Sequence, residues 1–149
     1  MKTLTTALTL VLTTCALGLG YAAVAGPGDE AAVRRAVLDY CEAFYEAKPE
    51  YLERSVSKSL TKFGYYQKDG AYTGVGMTFD QAVGLAKEWN ASGKKDTSQK
   101  TVQILDVLDQ TACAKLTANW GIDYLLLARE DGKWMIRHVL WQSHPPARD

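Results

Sequence analysis

From Asp29 to Ala47 apolar side chains return every three or four positions: Val33, Val37, Tyr40 and Phe44, with Ala36 and Cys41 beside them. That spacing predicts a helix with one buried face, capped by Asp29. Pro49 suits the first position of a short second helix, Glu50 to Val56, with Tyr51 and Leu52 turned inward. Leu60 to Gln67 is rich in strand formers and runs into Lys68-Asp69-Gly70, a turn signal. Thr78 opens a third helix, with Gln81 as its capping-box partner and Phe79, Val83, Ala86 and Trp89 on one face. Beyond a polar linker, Asn90 to Lys100, the period drops to two. Thr101 to Leu108, Ala112 to Ala128 and Lys133 to Gln142 then read as three antiparallel strands, turning at Asp109-Gln110 and Asp131-Gly132. Helices followed by a meander predict an α+β fold, a curved sheet wrapped around helices. No internal repeat and no second domain is visible.

An Asp-Gly hairpin fixes a register. With Asp131-Gly132 as the loop, Asp123 pairs with Leu140, Leu125 with His138, Leu127 with Ile136 and Arg129 with Trp134. One face then carries Asp123, Leu125, Leu127, Trp134, Ile136, His138 and Leu140. The other carries Ile122, Tyr124, Leu126, Met135, Val139 and Trp141. Asp123 and His138 become diagonal neighbours. Both faces are apolar, so each needs a cover: helices on one, a partner subunit on the other.

The N-terminus stands apart from this pattern. After Met1-Lys2 no charge occurs until Asp29, and the apolar run Leu4 to Leu19 leads to Ala23-Val24-Ala25. A basic start, an apolar middle and a small-x-small end predict a secretory signal peptide, residues 1–25, cleaved after Ala25. An uncleaved anchor is the alternative, but a Thr-rich middle without a cationic stop fits it poorly. The remaining chain, 26–149, is one domain and is expected to be secreted or periplasmic. Without Lys2, 16 of the 17 basic side chains face 17 acidic ones, with no basic face, which argues against nucleic acid. Cys41 and Cys113 stand in core-like surroundings and are expected to be free thiols rather than a disulfide.

Candidate chemistry concentrates in Ala118 to Ser143, which holds three of the four tryptophans and one of the two histidines. Asp123 interrupts an apolar run there. It can serve as a base or acceptor with His138 as its proton shuttle, or the two can form a satisfied polar pair that fixes register. Tyr40 and Phe44 come from the first helix and Trp89 follows the third, while Leu125 and Leu140 flank the acid on its face. Lys62 is either an anchor for an anionic ligand or a solvated strand lysine. Trp120, Trp134 and Trp141 read as packing and interface residues. No zinc-ligand spacing, phosphate-binding glycine loop or nucleophile elbow is present, so no metal or cofactor is expected.

Three stretches carry a family resemblance: "AVLDYCEAFYEAKPEYLERSVSKSLTKF", "VQILDVLDQTACAKL" and "NWGIDYLLLAREDGKWMIRHVLWQ". Together they resemble the putative lumazine-binding branch of the nuclear transport factor 2-like (NTF2-like, SnoaL-like) superfamily. The resemblance spans nearly all of residues 26–149, and Gly64 to Met77 departs from it. It implies a conical α+β domain, often dimeric, with a cavity between helices and concave sheet. It does not imply a reaction, since the fold also serves isomerase-like and cyclase-like enzymes, carriers and assembly domains. Three expectations follow. A small, largely apolar or aromatic ligand sits in the cone. Alternatively, a cofactor-free lyase or isomerase uses Asp123 and His138, or the domain is structural. A homodimer is expected through the sheet face with Tyr124, Val139 and Trp141.

Overall fold

The computed structural model describes residues 26–93 and 99–146. The expected signal peptide, its cleavage after Ala25, and Lys94 and Lys95 of the polar linker lie outside the described residues. Among the described residues, three helices, α1 (Pro27–Tyr45), α2 (Glu50–Ser55) and α3 (Phe79–Glu88), accompany six strands. These are β1 (Val56–Lys68), β2 (Ala71–Met77), β3 (Lys100–Val107), β4 (Thr111–Ala118), β5 (Gly121–Glu130) and β6 (Lys133–Ser143). They form one sheet in the order β2-β1-β6-β5-β4-β3. All neighbours are antiparallel except β1 and β6, which run parallel, so the first long strand lies beside the last. This is the expected α+β fold.

The helix signals act as elementary chemistry requires. Gly26 caps α1, and Asp29, three residues in, accepts a hydrogen bond from its N–H at 3.1 Å. Asp29 therefore stabilises the first turn without being the cap itself. Thr78 and Gln81 form the expected reciprocal box at the start of α3. Arg54 grips the buried Asp39 of α1 with two hydrogen bonds, at 2.8 and 2.6 Å, and thereby docks α2.

Three expectations about strands require correction. Ala112 to Ala128 is two strands, β4 and β5, reversed at Asn119-Trp120. Gly121 ends that turn at φ +149, and a Cβ there would lie 2.0 Å from the Gln142 carbonyl oxygen. One glycine is a faint signal inside an apolar run, so the pattern predicts a single strand there. Ala71–Met77, left unassigned above, pairs with β1 as an edge strand across Asp69-Gly70, both at positive φ.

The third correction is the hairpin register. Asp131 and Gly132 form the turn, and Arg129↔Trp134 and Leu127↔Ile136 pair as expected. A bulge at Arg137 then inserts one residue, so Leu126 meets His138, Leu125 meets Val139, and Asp123 meets Trp141. Because side chains alternate along a strand, one extra residue moves everything beyond it to the other face. Val139 and Trp141 turn inward, whereas His138 and Leu140 turn outward. The fully buried Asp123 and the exposed His138 are thus on opposite faces of the sheet.

The core fills the space between the helices and the inner face. Val33, Val37, Tyr40, Cys41 and Phe44 of α1 meet Leu116, Leu125, Leu127, Ile136 and Val139. Cys41 and Cys113 are free thiols, and burial pushes the Cys41 thiol up to about 12, which leaves it protonated and inert.

Candidate functional site

At one end of the inner face an aromatic cluster surrounds three buried polar groups. Trp120, from the β4–β5 turn, is its hub. The edges of Phe44, Tyr45, Trp89 and Tyr40 meet its ring at centroid distances of 5.6, 5.4, 6.1 and 6.4 Å. The turn is pinned from the helix side, since the Tyr45 hydroxyl accepts the Asn119 N–H at 2.7 Å. The Trp120 indole N–H then points at Asp123, 3.2 Å from each carboxylate oxygen.

Lys62 projects from β1 onto the same inner face and is 7% exposed. Its ammonium donates a hydrogen bond to the Tyr40 hydroxyl. It also lies 5.1, 5.4 and 5.6 Å from the ring centroids of Tyr40, Phe44 and Trp141, within cation–π range. Burial pushes the Lys62 amine down, and the Asp123 charge opposes that shift. Burial pushes the Asp123 carboxyl up, against Lys62 and the hydrogen bonds of Trp120 and Tyr40. Burial, together with the Asp123 charge, holds the Tyr40 hydroxyl well above its ordinary value. Desolvation drives all three towards their neutral forms; Lys62 and Asp123 oppose this in each other, whereas the Asp123 charge reinforces it in Tyr40.

Above this triad opens a cavity of about 60 Å³, lined by Phe44, Lys62, Met77, Leu85, Trp89, Trp120 and Trp141. Among the described residues, Lys62 is its one charged wall. Typical ligand sites begin near 300 Å³. The cavity as it stands is therefore well below that size, and a ring enters only if Met77, Leu85 or Trp89 shifts.

Of the residues singled out from sequence, Phe44, Lys62 and Trp89 line the cavity, while Tyr40 and Asp123 are fully buried next to Lys62 and outside the lining. Leu125 is fully buried in the core and away from the lining, and Leu140 is 55% exposed on the opposite face. His138 borders a separate outer groove with Asp106, Cys113 and Arg137. Trp120 and Trp141 pack against the core, as expected of packing residues, and both are also cavity walls. The signal for Trp120 was its position: three residues before Asp123, it doubles back over the acid once a turn is placed at Gly121.

Residues 28–142 match the sequence family described as putative lumazine-binding. The chain belongs to this family. No curated protein matches its sequence. Three solved structures of NTF2-like proteins of unknown function share the fold of this putative lumazine-binding family member. The one from Silicibacter pomeroyi is 16% identical, covering 77% of this chain and 95% of its own, with a TM-score of 0.60. A Shewanella baltica protein is 18% identical over 82% and 98%, with a TM-score of 0.58. A Methylobacillus flagellatus protein is 20% identical over 83% and 98%, with a TM-score of 0.60. At these identities the likeness shows the fold alone.

Proposed function

We propose that this chain is an exported binding domain whose cone holds a compact, flat heteroaromatic molecule. The observation that carries the reading is a cavity walled by Phe44, Trp89, Trp120 and Trp141 with a single buried amine, Lys62, at its floor. Rings offer stacking and edge contacts to a planar ligand, and the ammonium offers one strong donor to a carbonyl or anionic oxygen. The family's description points to the same ligand class, since lumazine is a flat heterocycle bearing carbonyl oxygens. The apolar run and small-x-small end of residues 1–25 support export. The lyase or isomerase reading loses its proposed shuttle, because His138 is on the far face from Asp123.

Titration with pterin-like and other heteroaromatic compounds should quench tryptophan emission, because three of the four indoles line the cavity. At a hundredfold excess over Kd, binding adds about 2.7 kcal/mol of stability and raises the melting temperature. A panel of heteroaromatic and lipid-like compounds that neither quenches nor stabilises would overturn the reading.

A homodimer through the outer sheet face accompanies this proposal. Phe63, Leu140 and Tyr124 lie in one row across β1, β6 and β5, with Leu126 in the next. Leu140, Leu126 and Tyr124 are 55, 51 and 49% exposed, and neighbouring exposed apolar side chains of this kind favour an interaction surface. Tyr124 keeps its expected place on the outer sheet face, whereas Val139 and Trp141 turn to the inner one. Leu140→Glu should convert the dimer to monomer in sedimentation, since a carboxylate would be buried unpaired. A wild-type chain that sediments as a monomer at tens of micromolar, roughly where a weak interface still associates, would count against the dimer.

A further inference from the structure

We propose that the Lys62 amine is a nucleophile that captures a small carbonyl compound in the cavity as an imine. The inference rests on the binding reading above, because the carbonyl must first occupy that space. Four observations place the chemistry. Lys62 lines the cavity and is almost wholly buried. Its nitrogen touches the Tyr40 hydroxyl. The Asp123 charge acts on Lys62 and can stabilise a cationic nitrogen. The remaining walls are apolar or aromatic, which disfavours the charged amine and keeps bulk water away from an imine once formed.

A surface lysine, with a pKa near 10.4, is neutral in roughly one molecule in 2,500 at pH 7 and is a poor nucleophile for that reason. Burial in apolar surroundings is an established way of activating such an amine. Here desolvation raises the neutral fraction of Lys62 above that of a surface lysine, while the aromatic faces and Asp123 still hold its ammonium form.

The step balances with groups already present. The Nζ lone pair attacks the carbonyl carbon, and the carbonyl π pair moves to oxygen, which takes the Tyr40 hydroxyl proton. The resulting ammonium nitrogen returns a proton to the Tyr40 oxygen, giving a neutral carbinolamine. The nitrogen lone pair then forms the C=N bond as the C–O bond breaks, and the hydroxyl leaves as water with the Tyr40 proton. Loss of the N–H proton to Tyr40 completes the imine. One amine and one carbonyl become one imine and one water, and Tyr40 ends as it began. Burial keeps the Tyr40 hydroxyl protonated, as a proton donor must be.

Butanal fits the apolar lining and serves as the probe. Purified protein is incubated with butanal and cyanoborohydride at pH 7, and labelled lysines are mapped by peptide mass, with the chain's α-amine scored separately. Lys62 should reach full labelling while surface lysines remain below about a tenth labelled, as their small neutral fraction requires. Tyr40→Phe should slow labelling of Lys62 by about a hundredfold, the low end of general acid–base assistance, with the final extent unchanged. An unlabelled Lys62, or one labelled no faster than surface lysines, overturns the proposal. A heteroaromatic compound that still quenches tryptophan emission in that case leaves the binding reading standing. Labelling of Lys62 with no response to any heteroaromatic compound sinks the ring-binding reading alone.

Discussion

Gly64→Ala should destabilise the domain by about 2 kcal/mol or more, as overpacking of a filled core does, and should abolish ligand quenching of tryptophan emission. Gly64 pairs with Trp141 across the parallel β1–β6 seam. A Cβ at residue 64 would lie 2.2 Å from the Trp141 carbonyl oxygen and 2.3 and 2.4 Å from two atoms of its indole. Neither backbone nor ring can yield without opening the seam or expelling the indole from the cavity wall. Gly84 supplies the control, because a Cβ there meets nothing within 4 Å on the exposed face of α3. Gly84→Ala should stabilise by up to about 1 kcal/mol through helix propensity. Urea denaturation of both variants decides the matter. Equal midpoints for Gly64→Ala and wild type would show that the seam is looser than its geometry implies.

The contrast between those two glycines shows what was legible in the sequence. Local signals were reliable: the Thr78/Gln81 box, the Asp131-Gly132 turn and the helical spacing of Val33, Val37, Tyr40 and Phe44 all led to the observed elements. The fold class followed from their order. What the alternation of apolar and polar residues could not reveal was the bulge at Arg137. Arg137 sits in "WMIRHVLW", where residues on both sides are apolar enough to face either way. A one-residue insertion therefore left no trace in the pattern, yet it exchanged His138 and Leu140 for Val139 and Trp141 on the inner face. The site was half legible for the same reason. Tyr40, Lys62 and Asp123 lie before the bulge or on other strands, and their identities as polar groups in apolar runs were enough to single them out. Their meeting is a long-range fact: Tyr40 and Lys62 are 22 positions apart, and β1 reaches Asp123 only through β6.

Lys62→Met should cost about 3 kcal/mol at pH 7, the usual penalty for leaving one member of a buried charge pair uncompensated. Methionine fills similar volume, so packing loss is minor and the effect falls on Asp123, which is fully buried. Without the Lys62 charge, the attraction that holds the Asp123 carboxyl down is gone, and burial raises it further. A carboxyl that is harder to ionise folded than unfolded binds its proton more tightly in the folded state. The variant's deficit should therefore be small at low pH. It should grow as pH rises through the folded wild-type value, which burial already lifts above the ordinary carboxylate range, and level off above the variant's still higher one. Adding Asp123→Asn removes the stranded charge. The double variant should then recover stability relative to Lys62→Met, with a coupling of about 1 kcal/mol or more in a double-mutant cycle. Denaturant titrations of the four proteins at pH 5 and pH 7.5 give both quantities. Strictly additive costs, or a Lys62→Met deficit that does not change with pH, would mean that Lys62 and Asp123 do not share a field. The buried floor would then be two separate hydrogen-bonded groups, and Lys62 would owe its burial to the aromatic rings alone.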